Sequence, residues 1–104
     1  MANPMRGEVE VTLDGVAHPA RLTLGALAEL EAELQAASLI ALAERFEAGR
    51  FSAADVLAVL VAGLRGAGWN GDRAVLMRVE IGGGPVGAAQ AAARLLHLAF
   101  ALPE

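Results

Sequence analysis

The sequence has no cysteine, no lysine and no tyrosine, and each absence closes off a class of chemistry. Without thiols there are no disulfides and no thiolate metal sites, which fits a reducing compartment. Without lysine or tyrosine, and with only Ser38 and Ser52 as serines, the stock of nucleophiles and acid-base groups is almost empty. Both serines stand where a helix N-cap belongs. The two histidines, His18 and His97, have no second ligand at metal spacing, so packing or partial exposure accounts for them. Aromatic residues make up 4 % of the chain, too few to line a deep cofactor pocket with rings. These absences predict a non-enzyme with no cofactor and no metal.

Positive charge is scarce too. The formal charge is -4, the wrong sign for gripping phosphates, and the arginines between Arg45 and Arg78 neither form a run nor alternate with aromatics. Nucleic acid is therefore not an expected partner. The longest apolar run, residues 56–64, falls well short of the ~20 residues a membrane span needs. The opening Met1-Ala2-Asn3-Pro4-Met5-Arg6 has no apolar stretch behind its charge and does not read as a signal peptide. No membrane partner is expected, and the expected location is the cytoplasm.

What the chain does have is aliphatic surface. Its 104 residues are 56 % hydrophobic, much of it alanine, which points to close-packed helices around a modest core. No internal repeat or linker divides it, so residues 1–104 read as one domain: a flexible tail over 1–7, a β-hairpin over 8–24 and a helical part over 25–104. Glu8-Val9-Glu10-Val11-Thr12-Leu13 alternates at period two, and Asp14-Gly15 supplies a type I′ turn. That turn sets Leu13 opposite Val16, Val11 opposite His18 and Val9 opposite Ala20. One face then carries Val9, Val11, Leu13, Val16, Leu22 and Leu24, and the other Glu8, Glu10, Thr12, Pro19, Arg21 and Thr23. Opposite Glu10, Pro19 falls at a pair whose N–H would point away from the partner strand, so the outer edge of its strand should be unpaired there. A lone hairpin is marginal in water, so this one must lean on the helices.

From Thr23 the period changes. Leu27, Leu30 and Leu34 recur at helical spacing, with Glu29, Glu31 and Glu33 on a solvated side and Thr23 as N-cap. Ser38 is placed to cap a second helix through Leu39, Leu42, Ala43 and Phe46, stopped by Gly49. Ser52-Ala53-Ala54-Asp55 is a capping-box variant before a segment apolar nearly all round, which belongs in the middle of the fold and ends at Gly66-Ala67-Gly68. After a turn at Asn70-Gly71, Asp72 can cap a short helix through residues 73–79. Val75, Met77, Val79 and Ile81 also alternate as a strand would; helix is the favoured reading. Pro85 suits the first turn of a closing helix over residues 86–101. The fold class is α+β, mostly α: an N-terminal two-stranded antiparallel hairpin packed on four to five short helices.

One motif imitates a phosphate-binding loop. Gly82-Gly83-Gly84-Pro85-Val86-Gly87 matches G-x-G-x-x-G. A dinucleotide site needs a strand before the loop, a βαβ unit after it and an acidic residue about 20 positions on. Pro85 also removes an amide that a phosphate would use, so the segment reads as a helix-breaking linker.

The order of these features resembles the gene transfer agent family of small phage tail proteins. The stretches that carry the likeness are Glu8-Val9-Glu10-Val11-Thr12-Leu13-Asp14-Gly15, then Leu22-Thr23-Leu24-Gly25-Ala26-Leu27-Ala28-Glu29-Leu30-Glu31, then Phe51-Ser52-Ala53-Ala54-Asp55-Val56 leading to Gly63-Leu64-Arg65-Gly66-Ala67-Gly68. The resemblance implies a tail assembly chaperone that transiently binds the tape-measure protein, and the tail-tube protein as a further partner, with no catalytic residues. The alternative keeps the chain in the particle as a structural tail component, a homo-oligomer joined through the hairpin edge near Pro19. Candidate partner-binding residues are Trp69, in a glycine-rich turn, together with Pro19, Phe51 and Leu64.

Overall fold

The computed structural model describes residues 6–34 and 39–100. Strands β1 (Glu8–Leu13) and β2 (Val16–Arg21) are followed by helices α1 (Leu24–Leu34), α2 (Leu39–Glu47), α3 (Ala53–Gly66), α4 (Arg73–Leu76) and α5 (Gly84–Phe100). The fold is α+β and mostly α, as the periodicities require.

The hairpin has the expected register, from Leu13 opposite Val16 to Glu8 opposite Arg21. Asp14 and Gly15 both take positive φ, 49° and 82°, as a type I′ turn demands. Val9, Val11, Leu13, Ala20 and Leu22 are buried. Val16 and Leu24 depart from the expected apolar face, at 59 % and 84 % exposed. The strand ends at Arg21, so Leu24 is already the first residue of α1 and follows helical rather than strand geometry. Val16 sits beside the turn, where cover exists only on the β1 side: Ile81 bridges Leu13, and Gly82 N donates to Thr12 O at 2.9 Å.

Helix boundaries follow the local cap chemistry. Thr23 Oγ1 accepts from Ala26 N at 3.1 Å and starts α1. Ser52 and Asp55 form a reciprocal capping box at 3.0 Å each way and start α3. Asp72 accepts from Val75 N at 3.0 Å and starts α4. The proposed Ser38 cap lies outside the described residues. The segment expected to be helical over 73–79 is helical only to Leu76; the chain then turns and Ile81 pairs with Leu13. The helical reading holds for one turn only, and of the alternating stretch only Ile81 pairs, in an isolated bridge.

Helix α3 occupies the centre, buried at Val56 and continuously from Ala58 to Leu64, with α1, β2 and α5 packed around it. The hairpin lies across this layer, β2 over α3 and β1 over α5. Two glycines allow the close approach. A β-carbon at Gly63 would sit 2.8 Å from Leu95 Cδ1, and one at Gly66 would collide with the Arg21 carbonyl oxygen. Buried side chains of α1, α2, α4 and α5, among them Leu30, Leu42, Leu76 and Leu95, complete the core.

Candidate functional site

Among the described residues, three stretches distant in sequence build an apolar groove. One wall begins at Phe51. The ring stacks on Phe46 with centroids 4.7 Å apart and planes within 3°, and it precedes the Ser52 cap, so that Phe51 and Val56 are spaced as a hydrophobic staple. The cap is held a second time, because the Asp55 carboxylate lies 3.5 Å from Arg45 of α2. Phe51 is therefore fixed from both sides, with 37 % of its surface still exposed.

From Phe51 the groove runs along Ala53, Val56 and Leu57 of α3, faces Pro85, Ala88 and Ala89 of α5, and is floored by Ile81. It continues past Leu76, Met77 and Val79 to Glu80, the one charged residue among the described residues that line it. Two adjoining hollows, of about 430 and 320 Å³, share Leu57, Ile81, Pro85 and Ala88. Met77, in this lining, stands exposed at 65 %. Large side chains project beside an apolar hollow, the surface pattern that marks protein contact sites.

The glycine-rich segment forms part of this wall. Gly83 and Gly84 take positive φ, and Gly87 is packed so closely on the Gly82 carbonyl that a β-carbon would collide with it. Its backbone is committed internally: Gly82 N to Thr12 O, Gly84 N to Ile81 O and Gly87 N to Gly83 O. Gly82 and Gly83 turn the chain from the bridge into α5, which begins at Gly84, two residues before the expected start and inside the segment read as a linker.

The four residues singled out in the sequence do not converge. Phe51 lies in the groove. Pro19 is exposed on β2, on the edge away from β1. Trp69 is half-buried against the core, and Gly71 is pressed onto its ring so that a β-carbon there would strike it. Leu64 has no exposed surface; it is a core residue and offers a partner no contact in this conformation. Met77, Ile81 and Pro85 were not singled out from the sequence as contact residues. The one signal for Met77 and Ile81 was the ambiguous alternation through Val75, Met77, Val79 and Ile81.

A smaller, polar cleft of about 240 Å³ lies between α1, α3 and α4. Its charges are matched within the chain, Arg65 with Glu29 at 3.7 Å and Arg73 with Glu33 at 3.3 Å. Among the described residues no group of histidine and acidic side chains is placed to hold a metal ion. No helix among them is long and apolar enough to cross a membrane.

Comparison with known families decides the class. Residues 6–102 match the family model described as phage tail tube protein, GTA-gp10. The chain belongs to this family. The match takes in the hairpin, all five helices and the whole groove. No curated protein and no solved structure matches the chain. Membership in a gene transfer agent or phage tail family agrees with the resemblance carried by the sequence motifs. The family's description is a tail tube protein rather than a chaperone.

Proposed function

We propose that this member of the GTA-gp10 family is a structural, non-enzymatic component of a phage-type tail, retained in the particle and held there by contacts between proteins. The observation that carries this reading is the family match over residues 6–102, whose description is a tube protein. The groove supports it from the side of physics. A tail subunit needs preformed apolar surface to bury against neighbours, and Phe51 and Met77 supply it in the lining of the groove. It needs no chemistry, in keeping with the near-empty stock of nucleophiles and acid-base groups.

A second reading, a tail assembly chaperone that binds the tape-measure protein and the tail-tube protein and then leaves, is favoured by one feature. The groove is open and mostly apolar, which suits the apolar face of a client helix. Quantitative mass spectrometry of purified particles separates the two. A structural component is present at a fixed ratio to the other tail proteins. A chaperone is abundant in producing cells and absent from particles, and that result would overturn the structural reading.

A further inference from the structure

We infer that Asn70 is a site of spontaneous deamidation, and that isoaspartate formed there displaces Trp69 from its packed position. The reaction needs no enzyme, only an asparagine side chain free to turn onto the nitrogen of the next residue.

The sequence narrows the choice of site. Asparagine occurs at Asn3 and Asn70 alone. Asn3 precedes Pro4, whose nitrogen carries no hydrogen and cannot become the nucleophile. Asn70 precedes Gly71, and glycine has no β-carbon to shield the attacking nitrogen or restrict its backbone angles. Gln35 and Gln90 would have to close a six-membered ring, a slower reaction than the five-membered closure open to asparagine.

The fold leaves this pair unrestrained while holding the chain on both sides of it. Asn70 and Gly71 lie in neither helix nor strand, and Asn70 is exposed. Before them Trp69 N donates to Leu64 O at 2.9 Å, and after them Asp72 accepts from Val75 N at 3.0 Å. The Gly71 carbonyl accepts from Arg65 Nη1 at 3.5 Å. Neither the Asn70 side chain nor the Gly71 amide has a hydrogen-bond partner among the described residues. Asp14-Gly15 is the contrast within the molecule, since an aspartate before glycine can close the same ring by losing water. There the carboxylate accepts from Glu80 N at 2.8 Å and the Asp14 amide donates to Glu80 O at 2.8 Å, so the side chain is already engaged.

At Asn70 the Gly71 nitrogen gives up its proton and attacks Cγ. The new N–C bond closes the ring as the bond from Cγ to Nδ2 breaks, and the amide leaves as ammonia, carrying the proton. Water then opens the succinimide. Opening at Cγ gives aspartate, and opening at the main-chain carbonyl gives isoaspartate, in which the backbone runs through the former side chain and is one carbon longer. That extra atom falls between Trp69, half-buried against the core, and Gly71, which is pressed onto the Trp69 ring so closely that a β-carbon would strike it. The ring and Gly71 cannot both keep their places.

Incubation of the purified full-length chain at neutral and at mildly alkaline pH tests this, with peptide mapping by mass spectrometry and isoaspartate measured by enzymatic methylation. Modification is expected at position 70 within days, faster at the higher pH because the deprotonated amide is the nucleophile. The folded chain is expected to react within about tenfold of the chain unfolded in urea, a difference below about 1.4 kcal/mol. Trp69 is the sole tryptophan, so its emission reports the consequence directly and is expected to shift to the red in proportion to the isoaspartate formed. Asn70→Gln should show neither the modification nor the drift. Freshly prepared Asn70→Asp, which carries the charge without the longer backbone, should keep the wild-type emission. Circular dichroism melts confirm that both variants are folded. An intact Asn70 after days at alkaline pH, isoaspartate formed chiefly at position 14, or an emission that stays fixed while isoaspartate accumulates at position 70 would each overturn the proposal.

Discussion

Gly66 and Gly63 carry the tightest packing between α3 and its neighbours, and they differ in what surrounds them. A β-carbon at Gly66 meets the Arg21 carbonyl, a backbone atom that cannot rotate away, whereas one at Gly63 meets the end of the Leu95 side chain. Gly66→Ala is therefore expected to destabilise by about 1–3 kcal/mol, lowering the melting temperature by about 4–8 °C for each kcal/mol in a domain of this size. Gly63→Ala is expected to lower it less, and equal melting points would contradict the packing described here. At this scale the sequence was legible wherever one residue's chemistry decides its place. The Asp14-Gly15 turn and the capping roles of Thr23, Ser52 and Asp72 are short-range hydrogen-bonding devices. Leu64 and Trp69 were not legible, because an aliphatic or aromatic residue near a glycine-rich turn looks the same in sequence whether it faces the core or the solvent.

Among the elements, α3 depends most on its start. The capping box satisfies orphan amides and fixes Phe51 at the mouth of the groove, so one local device serves both stability and site. Ser52→Ala is expected to cost about 1 kcal/mol, visible as a lower denaturant midpoint at unchanged slope, since the surface exposed on unfolding does not change. The hairpin register could be read in full, because turn type and period-two alternation fix it together. Its apolar face was read too generously: Leu24 belongs to a helix, and Val16 overhangs the covered part of the sheet. Residues 73–81 resisted assignment for a physical reason, since four helical residues, a turn and a one-residue bridge satisfy neither period for long. The groove was illegible at this scale. Its walls come from residues near 51–57, 76–81 and 85–89, which meet only after the bridge between Leu13 and Ile81 has turned the chain.

At the scale of the whole molecule, a helical layer centred on α3 and roofed by a hairpin leaves a large apolar concavity near the start of α5. The family to which the chain belongs gives that concavity a setting, a phage-type tail, where subunits meet other proteins. We propose that the groove, not the hairpin edge or an enzyme site, is the surface through which the chain takes its place there. Replacing the native gene with one encoding Met77→Glu, at an exposed residue of the groove lining, and measuring how much of the chain purified particles contain, tests this most directly. The substitution adds a charge to an exposed side chain and leaves the buried core untouched, so the protein should accumulate folded in the cell. Its content in particles, relative to other tail proteins, is expected to fall by about tenfold or more, as when an interface anchor is lost. Particles carrying the variant at the wild-type ratio would contradict it.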